Sequence, residues 1–205
     1  MKKIFLAVII LIVFCIGQAS TVSAVSTPIE SIRSTVDGIL NTMRDPAFSD
    51  PARVEERRNK ISKLIRERFD FLEMSKRSLA KYWKPLVLEE RKEFVQLFSD
   101  LLEASYIGKI ESYTDEKITY DSESIKQEDK YGVVNTTIKT ASVDIPIEYK
   151  LINRTGEWLV YDVVIEGVSF ISTYRSQYAK IIRKEQFAGL INKMKEKLSE
   201  VNATP

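Results

Sequence analysis

After Thr114 the apolar residues stop recurring every three or four positions and begin to alternate. Such a change separates helix-forming from strand-forming sequence, because side chains share a face at a period of 3.6 in a helix and 2 in a strand. Four stretches alternate: Lys117 to Ile125, Gly132 to Thr140, Val143 to Asn153 and Trp158 to Ile165. Turn residues join them, among them Glu128-Asp129-Lys130 and Arg154-Thr155-Gly156, and connections this short predict antiparallel neighbours. Pro146 cannot donate to a ladder, so it must face an edge, a bulge or a non-bonded site. Ile145, Ile147, Tyr149 and Leu151 share one face of the third strand. Strict alternation in the fourth puts Leu159, Tyr161, Val163 and Ile165 on one side and Trp158, Val160 and Val164 on the other.

Helices precede this meander. Thr27, Pro28 and Glu30 form a capping-box sequence ahead of Ile29, Ile32, Val36, Ile39, Leu40 and Met43, and Asp45-Pro46 ends that helix. Asp50-Pro51 opens a highly charged helix with a narrow stripe of Val54, Ile61, Leu64, Ile65 and Phe69, which reads as peripheral. Phe69 to Pro85 is dense in aromatic residues. About Leu88 to Tyr113, the wide face carrying Phe94, Leu97, Phe98, Leu101 and Leu102 predicts the longest helix. The central stretch runs from Trp158 to Gln177, where a strand turns at Gly167 and Ser169 is placed to cap a helix bearing Phe170, Ile171, Tyr174, Tyr178 and Ile181. Two C-terminal helices follow, Phe170 to Arg183 and about Glu185 to Val201.

The fold expected is therefore α+β: N-terminal helices over 27–113, a four-stranded antiparallel twisted sheet over 117–165, and two C-terminal helices over 170–201 around an apolar interior. Residues 1–24 stand apart, with Lys2 and Lys3 before an apolar run from Ile4 to Ile16 and small residues at Val22-Ser23-Ala24. That run is shorter than the roughly 20 residues needed to cross a bilayer, so 1–24 reads as a cleaved signal peptide and 25–205 as one domain.

Absences narrow the chemistry. There is no histidine, and the one cysteine, Cys15, lies in the leader. The remaining chain has no thiol, no Ser-His or Cys-His pair and no nitrogen or sulfur ligand set for zinc, and a metal or other cofactor is not expected. Without Lys2 and Lys3 the basic and acidic residues are equal in number, leaving no electrostatic footprint for nucleic acid. The basic run Arg53 to Arg68 offers a partner-docking face as the alternative to a solvated one.

Several strings in this order resemble the MlaC family, the toluene-tolerance or ABC-transporter auxiliary proteins of the periplasm. They are Phe69-Asp70-Phe71 with Met74, Trp83, Phe94 to Leu102, and Tyr161-Asp162 through Glu166-Gly167-Val168-Ser169 to Tyr174-Arg175. Thr173 stands where some members have Asn. The resemblance implies a periplasmic lipid carrier with phospholipid as cargo. Its partners would be an inner-membrane ABC transporter complex with its substrate-binding subunit and an outer-membrane lipoprotein complex, and its work would maintain outer-membrane lipid asymmetry.

For that job the expected lining is Tyr82, Trp83, Phe98, Leu102 and Tyr106 from the helices, Ile147, Tyr149 and Leu151 from the third strand, and Val163, Ile165, Val168, Phe170 and Tyr174 from the central stretch. About half of these should be ordinary core. Arg175 is placed at the mouth, against a phosphate or a neighbouring carboxylate. Two other readings stand beside the carrier: a lipid-free interaction protein of a transporter, and an enzyme using Asp162 or Glu166 as a buried base. The enzyme lacks a second catalytic group in the sequence, and the chain is read as non-catalytic.

Overall fold

The structure is a computed structural model, describing residues 26–113 and 117–203; the expected leader lies outside the described residues. Thr27 forms the anticipated capping box, its Oγ1 accepting from Glu30 N at 3.3 Å while its own amide donates to Glu30 Oε2 at 2.8 Å, and α1 runs Pro28–Arg44. Asp45 and Asp50 each cap a short 3-10 turn, Pro46–Phe48 and Pro51–Arg53, the second leading into α2, Val54–Arg68. Then come α3, Phe71–Leu79, a 3-10 turn at Ala80–Tyr82, and α4, Leu88–Glu111, whose 24 residues make the longest unbroken helix among the described residues.

The sheet is a meander of β1 (Lys117–Lys126), β2 (Tyr131–Lys139), β3 (Asp144–Arg154), β4 (Glu157–Ile165) and β5 (Val168–Ser169), every neighbour antiparallel. Five strands replace the expected four. Glu166 and Gly167 both have positive φ, 49° and 80°, the signature of a two-residue hairpin whose twist matches its strands. The chain therefore turns back and pairs Val168 with Ile165 and Ser169 with Val164 before the helix begins. Pro146 accepts from Glu166 N at 3.1 Å at the hairpin end of β4, so the donor its nitrogen lacks falls at the end of the β3–β4 ladder and not within it.

The faces of β4 also differ from strict alternation. Lys150 pairs with Asp162 and Leu151 with Val160, which leaves Tyr161 as the extra residue of a β-bulge. One extra residue shifts the phase by one. Trp158 and Val160 consequently share a face with Val163 and Ile165, while Tyr161 turns to Arg77, whose guanidinium lies 4.0 Å from its ring centre.

Two cores result. The sheet core joins Ile32 of α1 to Val134, Ile147, Leu151, Trp158, Val160 and Val163. Gly132 lets α1 approach this closely, since a Cβ there would sit 2.9 Å from Pro28 and 3.1 Å from Trp158. The helical core packs α3 and α4 against α5, Phe170–Ala203, through rings such as Phe94, Phe98, Tyr174 and Tyr178. Gln186 interrupts α5 at φ 63° and ψ −177°, dividing it into two helices as the sequence suggests. Phe69 and Phe170 pack against both cores. Phe69 is anchored there by a bridge to Val160, with Asp70 N donating to Val160 O at 2.9 Å.

Candidate functional site

Where the two cores meet, they leave a cavity of about 530 Å³. Its walls are α1 and α2 on one side, α4 on another and one face of the sheet, with Phe69, Phe71 and Met74 reaching in from the start of α3. The sheet supplies this lining by alternation: Ile145, Ile147 and Tyr149 from β3 stand beside Val163 and Ile165, which the Tyr161 bulge brings to the same face. On α4, Leu102, Tyr106 and Ile110 follow at four-residue steps. The Tyr106 ring stacks on Phe170 with centroids 4.8 Å apart.

Seven of the expected lining residues border this space: Leu102, Tyr106, Ile147, Tyr149, Val163, Ile165 and Phe170. The others lie elsewhere. Phe98 is fully buried in the helical core between Phe94 and Tyr174, and Tyr174 belongs to the same cluster. Leu151 fills the sheet core. Tyr82 and Trp83 pack on the outer part of the helical core, with Arg91 over the indole at 5.4 Å. Val168 sits 59% exposed on the hairpin, since β5 points it away from the interior. Arg175 is not at the mouth: its Nε donates to the Arg77 carbonyl at 2.8 Å, satisfying an acceptor in the last turn of α3.

Sequence reasoning missed the α1 and α2 contributions, Ile32, Val36, Ile39, Leu40 and Ile65. The helical stripe on α1 was the available signal. Its use as a cavity wall depends on where α1 docks, which spacing alone does not state.

Four polar groups of the lining are pushed towards their neutral forms. Burial raises the Glu103 carboxyl and the Tyr106 and Tyr149 phenols and lowers the Arg68 guanidinium. Arg68 is held by neutral acceptors, Thr35 Oγ1 at 2.9 Å and Trp158 O at 2.7 Å. A space that disfavours charge and is walled by branched and aromatic side chains suits a hydrocarbon ligand.

Of the two carboxylates offered by the enzyme reading, Glu166 lies exposed on the β4–β5 hairpin and Asp162 is otherwise engaged. Asp162 accepts from Ser169 Oγ at 2.7 Å and from Ile171 N at 3.1 Å, fixing the first turn of α5. Ser169 completes the cap by accepting from Ser172 N at 3.0 Å. The arginines of the basic helix are likewise engaged: Arg57 and Arg58 reach Glu111, and Arg66 reaches Asp100 and Glu103.

Comparison with known proteins gives concordant results. The chain is 29% identical over 126 residues to the intermembrane phospholipid transport system binding protein MlaC of Haemophilus influenzae, covering 60% of this chain and 59% of that one. It is 24% identical over 104 residues to the toluene tolerance protein ttg2D of Pseudomonas putida, covering 51% and 48%. These matches thus span about half the length of each relative. Among solved structures, the phospholipid-binding protein from Ralstonia solanacearum, determined in complex with a phospholipid, superposes with a TM-score of 0.76 at 22% identity. That alignment covers 86% of this chain and 99% of the other, so the fold is shared. The family model described as MlaC protein matches residues 33–196, a span holding every cavity-lining residue except Ile32, and the chain belongs to the MlaC family.

Proposed function

We propose that the protein is a periplasmic phospholipid carrier, enclosing acyl chains in the cavity between sheet and helices and moving lipid between outer- and inner-membrane complexes without catalysis. The observation that carries this reading is the 530 Å³ apolar space, in a chain whose fold is that of a protein solved with phospholipid. Enclosure is what carriage demands. Two acyl chains of roughly 30 methylenes would cost about 24 kcal/mol if left in water, at about 0.8 kcal/mol per methylene.

Such tight enclosure makes spontaneous release slow, so handover calls for an acceptor that favours an opened form. The complexes between which it would move lipid are an inner-membrane ABC transporter with its substrate-binding subunit and an outer-membrane lipoprotein complex. Shuttling between them would serve outer-membrane lipid asymmetry.

Native mass spectrometry of mature protein, purified from a Gram-negative periplasm without detergent, tests the proposal. Near-stoichiometric phospholipid, identified by fragmentation, is the expected result. Protein that emerges lipid-free and also refuses added phospholipid would overturn it in favour of a lipid-free transporter auxiliary.

A further inference from the structure

The α2–α4 wall of the cavity differs from the other walls in how it is closed. The sequence of α2, Val-Glu-Glu-Arg-Arg-Asn-Lys-Ile-Ser-Lys-Leu-Ile-Arg-Glu-Arg, contributes one fully buried side chain, Ile61. It lies along α1, where Leu64 would approach a Cβ on Gly38 to 3.3 Å. Because α1 is built into the sheet core through Ile32 and α4 into the helical core through Phe94 and Phe98, α2 and α4 belong to different bodies. Both line the cavity, α2 with Ile65 and α4 with Leu102 and Tyr106.

Charge joins them. At one end of the seam Arg57 and Arg58 hold Glu111 at 2.8 and 3.0 Å; at the other Arg66 holds Asp100 at 2.9 Å and Glu103 at 2.7 Å. At about 1.5 Å per residue these clusters stand roughly 13 Å apart along α2. The acidic partners are mostly withdrawn from water, with Glu111 12% and Glu103 13% exposed, so these pairs are held more firmly than surface ones. Arg57 Nε is buried without a hydrogen-bond partner, so the closed network is not fully satisfied.

We propose that this seam is the gate of the cavity and that Arg57, Arg58 and Arg66, with Asp100, Glu103 and Glu111, are its ionic latch. The proposal rests on the carrier reading. Parting two apolar surfaces would expose them to water, whereas parting ion pairs gives each charge back its hydration, which makes the charged seam the readily reversible one to open. Opening there widens the space next to the residues that line it. It also leaves both cores intact.

Release of a fluorescent phospholipid from the loaded protein into excess neutral phosphatidylcholine vesicles tests the latch. Arg66→Glu is expected to release on the order of tenfold faster, the loss of a charge-assisted contact. Adding Asp100→Arg restores a slow rate, and Lys92→Glu, which breaks the exposed Lys92–Glu89 pair, leaves the rate unchanged. Raising salt accelerates the native protein more than Arg66→Glu. Hydrogen exchange over residues 54–68 rises in Arg66→Glu whether or not lipid is bound. An unchanged release rate in a folded Arg66→Glu protein, or equal acceleration by Lys92→Glu, overturns the latch. If the native protein retains no phospholipid, the carrier reading fails instead. Unchanged exchange over 54–68 in Arg66→Glu then overturns the latch separately.

Discussion

Asp162 shows how a single side chain can be claimed by architecture. Its two oxygens take the Ser169 hydroxyl and the Ile171 amide, so one carboxylate ties β4 to the start of α5 across the hairpin. Asp162→Ala leaves the buried Ile171 amide and the half-buried Ser169 hydroxyl without their acceptor and should lower stability by about 1–3 kcal/mol in urea unfolding. Asp162→Asn keeps one acceptor oxygen and should lose less. If Asp162→Ala unfolds at the native urea midpoint, this account of the residue is wrong. Ser169 was legible as a cap because caps are local, three residues from the amide they satisfy. Asp162 was not, since it reaches its partners only after the chain has turned back on itself. Arg175 failed for the same reason: the carbonyl it serves, on Arg77, is brought to it by the packing of α3 on α5.

At the scale of elements, α5 and β4 each carry one irregular residue that decides their course. Gln186 occupies φ 63° and ψ −177°, a region costing a residue with a side chain of order 1–3 kcal/mol and essentially reserved for glycine. Gln186→Gly should therefore stabilise the protein by about 1 kcal/mol after the entropy of the unfolded glycine is subtracted. A lowered urea midpoint would mean that the break has another origin. The break itself was legible near its true place, because the apolar register restarts at Phe187 and Leu190. The Tyr161 bulge was not, because a run with apolar residues on both faces conceals a change of phase. It is the bulge that turns Val163 and Ile165 to the cavity without removing Trp158 and Val160 from the core beneath α1.

For the whole molecule, periodicity made the layers legible, since helix and strand spacings declare themselves within a dozen residues. The cavity was legible only in part. A lining residue and a core residue have the same composition, and what separates Leu102 from Phe98 is which body lies opposite. The basic helix could be read as charged, but its acidic partners lie 34 to 54 residues further along the chain. The same distances in sequence govern when the protein can fold. The sheet core needs Ile32 together with Val134 to Val163, and the helical core needs Met74 to Leu102 together with Ile171 to Met194. A fragment ending at Ser169 lacks every α5 side chain of the helical core, and it should show no cooperative thermal transition; a sharp one would refute this dependence. Contacts so far apart close late. A nascent chain of this design emerges for most of its length with neither interior complete, the sheet core able to close once Val163 is made and the helical core only with the final helix.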